Sequence, residues 1–237
     1  VAYFWSNARS HRLAAGAFEA WPERKAQRMR IDLARQLQHG VAALGLVIAE
    51  PVQRKLLDYI LLLDKWNKVY SLTAVREPER MIGLHLLDCL AILPYLNASR
   101  LLDVGSGGGM PGIILAICHP DWQITMIDSN SKKTGFLQQA AISLQLGNVT
   151  VVTSRVEQFQ PAQPFDVITS RAFADLGDFV AWSQHLLAPG GCYAAMKGVY
   201  PQDEVARLPA GFVVSDVVPL QVPGLDAERH LLTIRAA

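Results

Sequence analysis

The sequence predicts an α/β chain with a mostly parallel sheet, helices on both faces and a helical segment in front. Three observations carry this. Strand-like and helix-like patterns alternate from Arg100 to Lys197, the order that builds parallel sheets with crossover helices. Leu101–Val104 runs into Gly105-Ser106-Gly107-Gly108-Gly109 and then Met110-Pro111-Gly112, a strand, a glycine loop and a helix start. Residues 31–96 carry apolar positions at helical spacing with no strand-like run.

The elements follow in order. Residues 1–30 hold six basic residues against two acidic, a net +4 that leaves −3 elsewhere. They read as a basic N-terminal extension containing Trp5 and Trp21, without the apolar run of a signal peptide. Leu33, Leu37, Val41 and Leu44 mark a helix over 31–49 that ends near Gly45. Pro51 opens a second helix through Leu56, Leu57, Ile60, Leu63 and Trp66, and Pro78 opens a third through Met81, Leu86, Leu90 and Leu93. A helical subdomain over 31–96 is expected, followed by the sheet domain over 97–237.

In the sheet domain, strands are expected at Leu101–Val104, Gln123–Ile127, Val149–Thr153, Phe165–Thr169 and Cys192–Met196. Helices are expected from the glycine loop to about Cys118, from Ser131 to Leu146 and from Asp175 to Leu187, the last stopped by Pro189-Gly190-Gly191. Phe212–Val218 and Leu231–Ile234 suit an antiparallel edge hairpin.

Composition bounds the function. Net charge is +1, hydrophobic residues make up 51%, and mean hydropathy is +0.18. No apolar stretch approaches the roughly 18 residues of a membrane span. Three cysteines at 89, 118 and 192 form no C-x-x-C pair, which suits free thiols in a reducing cytoplasm. They supply no metal ligand set.

The glycine loop points to a ligand that meets bare backbone and helix N-terminal N–H groups. Gly107–Gly112 satisfies G-x-G-x-x-G, so a dinucleotide is one reading. Asp103, two residues before Gly105, argues for a cationic ligand, because a pyrophosphate would be repelled. A side chain at Gly105 is expected to enter the ligand's space. Asp128 closes the second strand, where an acid can accept bonds from ribose hydroxyls of either ligand. After the third strand the backbone and Val156 can flank an adenine with Glu157 close by, and Ser154 with Glu157 also reads as a capping box. Arg171 ends the fourth strand with a planar donor fork suited to a phosphate, a guanine O6 or a carboxylate, or to an ordinary ion pair. Lys132, Lys133 and Lys197 sit on the same predicted edge and can meet RNA phosphates, or simply be solvated. His85 and Asp88 lie three apart on a helix, where structural histidines are commoner than catalytic ones.

Asp103 to Gly109 spells D-x-G-x-G-x-G, which resembles motif I of class I (Rossmann-like) methyltransferases. Further motifs widen the likeness. They are Leu63–Thr73 (LDKWNKVYSLT), His85–Asp88 (HLLD), Asp103–Gly112 (DVGSGGGMPG), Asp128-Ser129, Ser154–Glu157 (SRVE), Ser170–Ala174 (SRAFA) and Gly224–His230 (GLDAERH). Together they resemble the bacterial 16S ribosomal RNA (guanine-N7)-methyltransferases, once called glucose-inhibited division protein B, over about residues 31–237. Many members carry Pro where this chain has Gly108. The resemblance implies S-adenosyl-L-methionine as cofactor, with contacts at Gly105, Met110, Val156, Glu157 and Arg171. Asp103, Gly107 and Asp128 complete the expected cofactor set. It implies methylation of a guanine N7 in 16S RNA, either naked or in the small ribosomal subunit. A cytoplasmic monomer without metal or membrane is expected. Arg171 is then expected to orient the reactants, since N7 carries no proton to remove. The competing readings are an NAD-dependent dehydrogenase and a non-catalytic binding module.

Overall fold

A computed structural model describes residues 8–237, with side-chain surroundings from residue 26 onward. Trp5 lies outside the described residues, and so do the side-chain surroundings of Trp21 and of the basic residues before 26. Helix α1 spans Ala8–Ala43, so the helix expected at 31–49 begins earlier and stops sooner. It stops at Gly45, whose φ of 69° is left-handed. There Gly45 N–H reaches Ala42 O and Leu46 N–H reaches Val41 O, the paired bonds that close a helix C-terminus. Helix α1 passes through residue 30, where the basic extension is expected to end, and Arg30 there forms an ion pair with Asp58 of the next helix.

Helix α2 spans Glu50–Tyr70 and buries Leu56, Leu57, Tyr59, Ile60 and Leu63. The expected third helix is a composite: α3 (Pro78–Met81), a π-helical stretch over Ile82–Leu87, α4 (Asp88–Leu90) and a 3₁₀ turn at Leu93–Tyr95. Widened π turns interrupt α-helices at sites under local demand. Here His85 inside the π stretch and Asp88 directly after it are buried.

Strand β1 (Arg100–Val104) leads through the glycine loop to α5 (Gly112–Cys118), β2 (Gln123–Asp128), α6 (Ser131–Ser143) and β3 (Val149–Thr153). Helix α6 ends before the expected Leu146. Gln145, not Gly147, takes the left-handed position at φ 53°, and Leu146 N–H bonds Ala141 O. Strand β4 (Phe165–Arg171) is followed by α7 (Leu176–Ser183), which gives way to a 3₁₀ turn at Gln184–Leu186. Strand β5 (Leu187–Lys197) already includes Pro189-Gly190-Gly191, with its register to β4 shifting there. The expected helix stop is thus the irregular start of a strand. Helix α8 (Gln202–Val205), β6 (Phe212–Pro219) and β7 (His230–Ala236) complete the chain.

The seven strands stand in the order β3-β2-β1-β4-β5-β7-β6. All neighbours pair in parallel except at β7, which is antiparallel to both β5 and β6. The final hairpin therefore inserts β7 into the sheet and leaves β6 at the edge. Strand order reverses between β1 and β4, so a crevice opens at their carboxyl ends. Alternate residues divide the core. Leu101 and Val167 face a cluster with α1, α2, α4, α5 and α6, while Leu102 and Ile168 face one with Phe179 of α7. No helix among the described residues is long and apolar enough to cross a membrane.

Candidate active site at the carboxyl edge of the sheet

The glycine loop is wired to its neighbours at almost every step. Gly105 N–H and Ser106 N–H both reach Ile127 O of β2. Gly105, Gly107 and Gly109 have φ of 69°, 54° and 90°, left-handed values that glycine adopts without cost. Ser106 Oγ donates to Asp103 O, and Gly107 N–H donates to Asp128 Oδ2 at 3.0 Å. Tyr59 of α2 donates its phenol to Gly108 O at 2.7 Å.

Beside the loop lies a cavity of about 260 Å³. Gly105, Asp128, Lys133, Val156 and Glu157 line it together with Ser129, Arg155, Phe173 and Trp182. Asp128 holds its oxygens with two backbone donors, Gly107 N–H and Asn130 N–H at 2.9 Å, and Lys133 Nζ stands 3.7 Å away. Asn130, not Asp128, caps α6. Ser154 does not form the expected capping box; its Oγ donates to Arg155 O, and the 3₁₀ turn Val156–Gln158 starts uncapped.

Phe173 and Trp182, which the sequence reading did not single out, meet edge to face at 5.9 Å on the cavity wall. A Cβ at Gly105 would stand 2.5 Å from the Phe173 ring. The first obstacle to a side chain there is therefore Phe173, with the backbone φ adding strain. Ala172 before it also takes a left-handed φ of 53°.

Four of the residues expected at the cofactor lie outside this lining. Asp103 is completely buried beneath the loop instead of facing the crevice, because its Oδ2 accepts Gly112 N–H at 3.0 Å. Its Oδ1 has no partner. Burial pushes this carboxyl up to about 7, against the opposing pull of the Gly112 bond. Gly107 spends its N–H on Asp128. Met110 is buried, and its sulfur accepts Arg171 Nη2 at 3.0 Å. Arg171 Nη1 donates to Leu84 O and Asp88 Oδ2, both at 3.0 Å, so most of its fork is committed within the protein.

The lysines divide. Lys132 is exposed at the start of α6. Lys133 sits at Asp128. Lys197, expected at RNA phosphate, instead donates to Glu204 Oε2 at 2.6 Å and Ala174 O at 3.2 Å, because a partly buried ammonium takes the charge-assisted bonds within its reach.

Asp88 is the centre the sequence reading passed over. Its Oδ1 accepts Arg229 Nε at 3.0 Å, opposite Arg171 on Oδ2. His85 places Nδ1 3.5 Å from Arg171 and Nε2 2.9 Å from Thr73 Oγ1. Burial first, and then the Arg171 charge, lower its pKa to about 4, so the ring is neutral near pH 7. The available signal was the pairing of His85 with Asp88 three residues on. No cluster of three or more metal-ligating side chains occurs among the described residues.

The comparisons agree with this architecture. The chain matches a family model described as rRNA small subunit methyltransferase G (GidB) over residues 52–232. The ribosomal RNA small subunit methyltransferase G of Laribacter hongkongensis is 57% identical over 204 residues, covering 86% of this chain and 99% of that protein. The protein of the same name from Neisseria meningitidis serogroup C is 59% identical over 201 residues, covering 84% and 97%. Among solved structures, a putative O-methyltransferase from Klebsiella pneumoniae superposes with TM-score 0.54 at 16% identity, covering 88% of this chain and 99% of that one. N-methyltransferase NodS from Bradyrhizobium japonicum, in complex with S-adenosylhomocysteine, superposes with TM-score 0.51 at 16% identity, covering 75% and 98%. The structural likenesses bear on the fold alone; with the family match and relatives this similar over most of its length, the chain belongs to the rRNA small subunit methyltransferase G family.

Proposed function

We propose that this chain transfers a methyl group from S-adenosyl-L-methionine to the N7 of a guanine in small-subunit (16S) ribosomal RNA. The observation that carries the reading is the cavity at the β1–β4 crevice, walled by Gly105, Asp128 and Val156, in a chain of this family. The residues fit the nucleoside part of the cofactor. Each Asp128 oxygen accepts one backbone donor and keeps lone-pair capacity for a hydroxyl. Val156 offers an apolar flank.

When bound, the cofactor supplies an electrophilic methyl group on a sulfonium sulfur. Guanine N7 has an in-plane lone pair and no proton, so the protein needs no general base. The work left to this chain is positioning and electrostatics. Asp128, Val156 and Glu157 hold the nucleoside end, and the loop from Gly105 to Met110 shapes the floor. Arg171 ties that floor to Asp88 and orients the reactant side. Lys132 faces the RNA at the start of α6, while Lys133 stays on the cofactor cavity beside Asp128. The division into a helical subdomain over 31–96 and a methyltransferase domain over 97–237 belongs to the same proposal, as does a cytoplasmic monomer.

Calorimetric titration should show binding of S-adenosylhomocysteine and none of NAD. Labelled methyl groups should pass to small subunits or to their RNA, and digestion should recover the label as N7-methylguanosine. NAD binding without a response to the adenosyl ligand, or label at another atom, would overturn the reading.

A further inference from the structure

Asp88 is one carboxylate shared by two guanidinium groups. Arg171 takes its Oδ2 and Arg229 its Oδ1, each at 3.0 Å, and the Asp88 side chain is 3% exposed. His85 in the same cluster carries no charge near pH 7. The cluster therefore holds one positive charge more than it holds negative. The carboxylate is buried, while the guanidinium groups keep 19% and 25% of their side chains exposed, so the surplus positive charge is open to an anion from outside.

The two arginines differ in what they have left to offer. Arg171 lies inside, its Nη donors spent on Leu84 O, Asp88 and Met110. Arg229 is the outer member, with its side chain 25% exposed. Its Nε goes to Asp88 and its Nη1 to Glu228 O. No protein acceptor takes Nη2 among the described residues, and the Glu228 carboxylate forms no ion pair with it.

Its position suits a nucleic-acid strand. Arg229 directly precedes β7, whose His230 pairs in register with Lys197 at the end of β5. This is the carboxyl edge that carries Gly105 and Asp128. Gly198 lies against Arg229 Nη1, and the next residues, Val199 and Tyr200, are exposed. The Tyr200 ring meets His230 edge to face at 6.2 Å, and a cation with free donors on the same edge as an exposed aromatic ring suits a phosphate backbone and its bases.

We infer that Arg229 binds a backbone phosphate of the substrate RNA, completing the charge of the cluster it shares with Asp88 and Arg171. The inference rests on the RNA methyltransferase reading above and adds a contact to it.

The test uses the full chain and small ribosomal subunits. In the wild type, modification of Arg229 by phenylglyoxal, read by mass spectrometry, should be slowed by subunits and unaffected by S-adenosylhomocysteine. In Arg229→Gln the half-saturating subunit concentration should rise about three- to fivefold, the worth of one exposed ion pair. The slope of log affinity against log salt should fall by about one, with S-adenosylhomocysteine affinity unchanged. Arg229→Lys should restore most of the slope, which a purely packing role for the guanidinium would not allow. A wild-type salt slope in Arg229→Gln, or modification that subunits do not slow, would overturn the inference. Protection by S-adenosylhomocysteine alone would assign the anion to the cofactor's carboxylate and overturn it equally. If Arg229→Gln does not fold, the wild-type protection experiment decides. Wild-type protein that transfers no methyl group at all would instead count against the functional reading.

Discussion

Asp103 lies fully buried under the glycine loop, where its Oδ2 accepts the N–H of Gly112. Glycine is needed at 112 because a Cβ there would stand 2.6 Å from that oxygen and 2.8 Å from Met126. Burial raises the carboxyl to about 7, above the roughly 3.9 of an unfolded aspartate. The folded state therefore favours the neutral acid. The stability this contributes is fully present below about pH 4 and is lost as pH rises through about 7. Asp103→Asn keeps an acceptor for Gly112 and cannot ionise. Thermal melts of the ligand-free protein should show the wild type losing stability relative to Asp103→Asn between pH 5 and pH 8. Parallel pH curves for the two proteins would refute the assignment.

At the scale of elements, α2 is a brace for the glycine loop. It brings Tyr59 under Gly108 O at 2.7 Å, and Leu63 packs where a Cβ at Gly108 would come within 3.3 Å. Asn67, near the end of α2, holds the following loop by accepting Thr73 N–H and donating to Val75 O. Tyr59→Phe keeps the ring and leaves a buried carbonyl without its donor, at a cost of about 1–3 kcal/mol. Urea unfolding should register that loss, and S-adenosylhomocysteine should bind more weakly because the loop has lost its support. Wild-type values on both counts would show that α2 packs beside the loop without shaping it.

Across the whole molecule, the helical segment and one face of the sheet share an apolar core. Leu33, Leu37 and Val41 of α1 belong to the cluster that also holds Leu63, Leu86, Ile113, Phe136 and Val167. Arg171 bonding to Leu84 O and Asp88, and Arg229 bonding to Asp88, cross between the same parts. Such continuity predicts one cooperative unfolding transition. Leu37→Ala, at a site with no exposed surface, should cost about 2–5 kcal/mol and shift that transition as a whole. Circular dichroism and tryptophan fluorescence should report the same midpoint. Two separated midpoints would show that the helical part unfolds by itself.

The strand, glycine loop and helix of residues 101–118, the placing of Asp128 at a strand end and the alternation that builds the parallel sheet were legible along the chain. Each depends on residues a few positions apart: period two in strands, period 3.6 in helices, and glycine where φ turns positive. Misplaced ends arose where a local signal lost to packing, as when Gln145 closed α6 ahead of Gly147, and Pro189–Gly191 entered β5. Tertiary structure alone decided the partners of the charged groups. Asp88 meets Arg171 across 83 residues and Arg229 across 141, and Lys197 turns to Glu204 instead of outward. Asp103 stands at a strand end, as its place in the sequence implies, yet only packing decides that it lies under the loop. A charge spends most of its interaction energy on its nearest neighbours in space, and those are set by how the layers close, not by spacing along the chain.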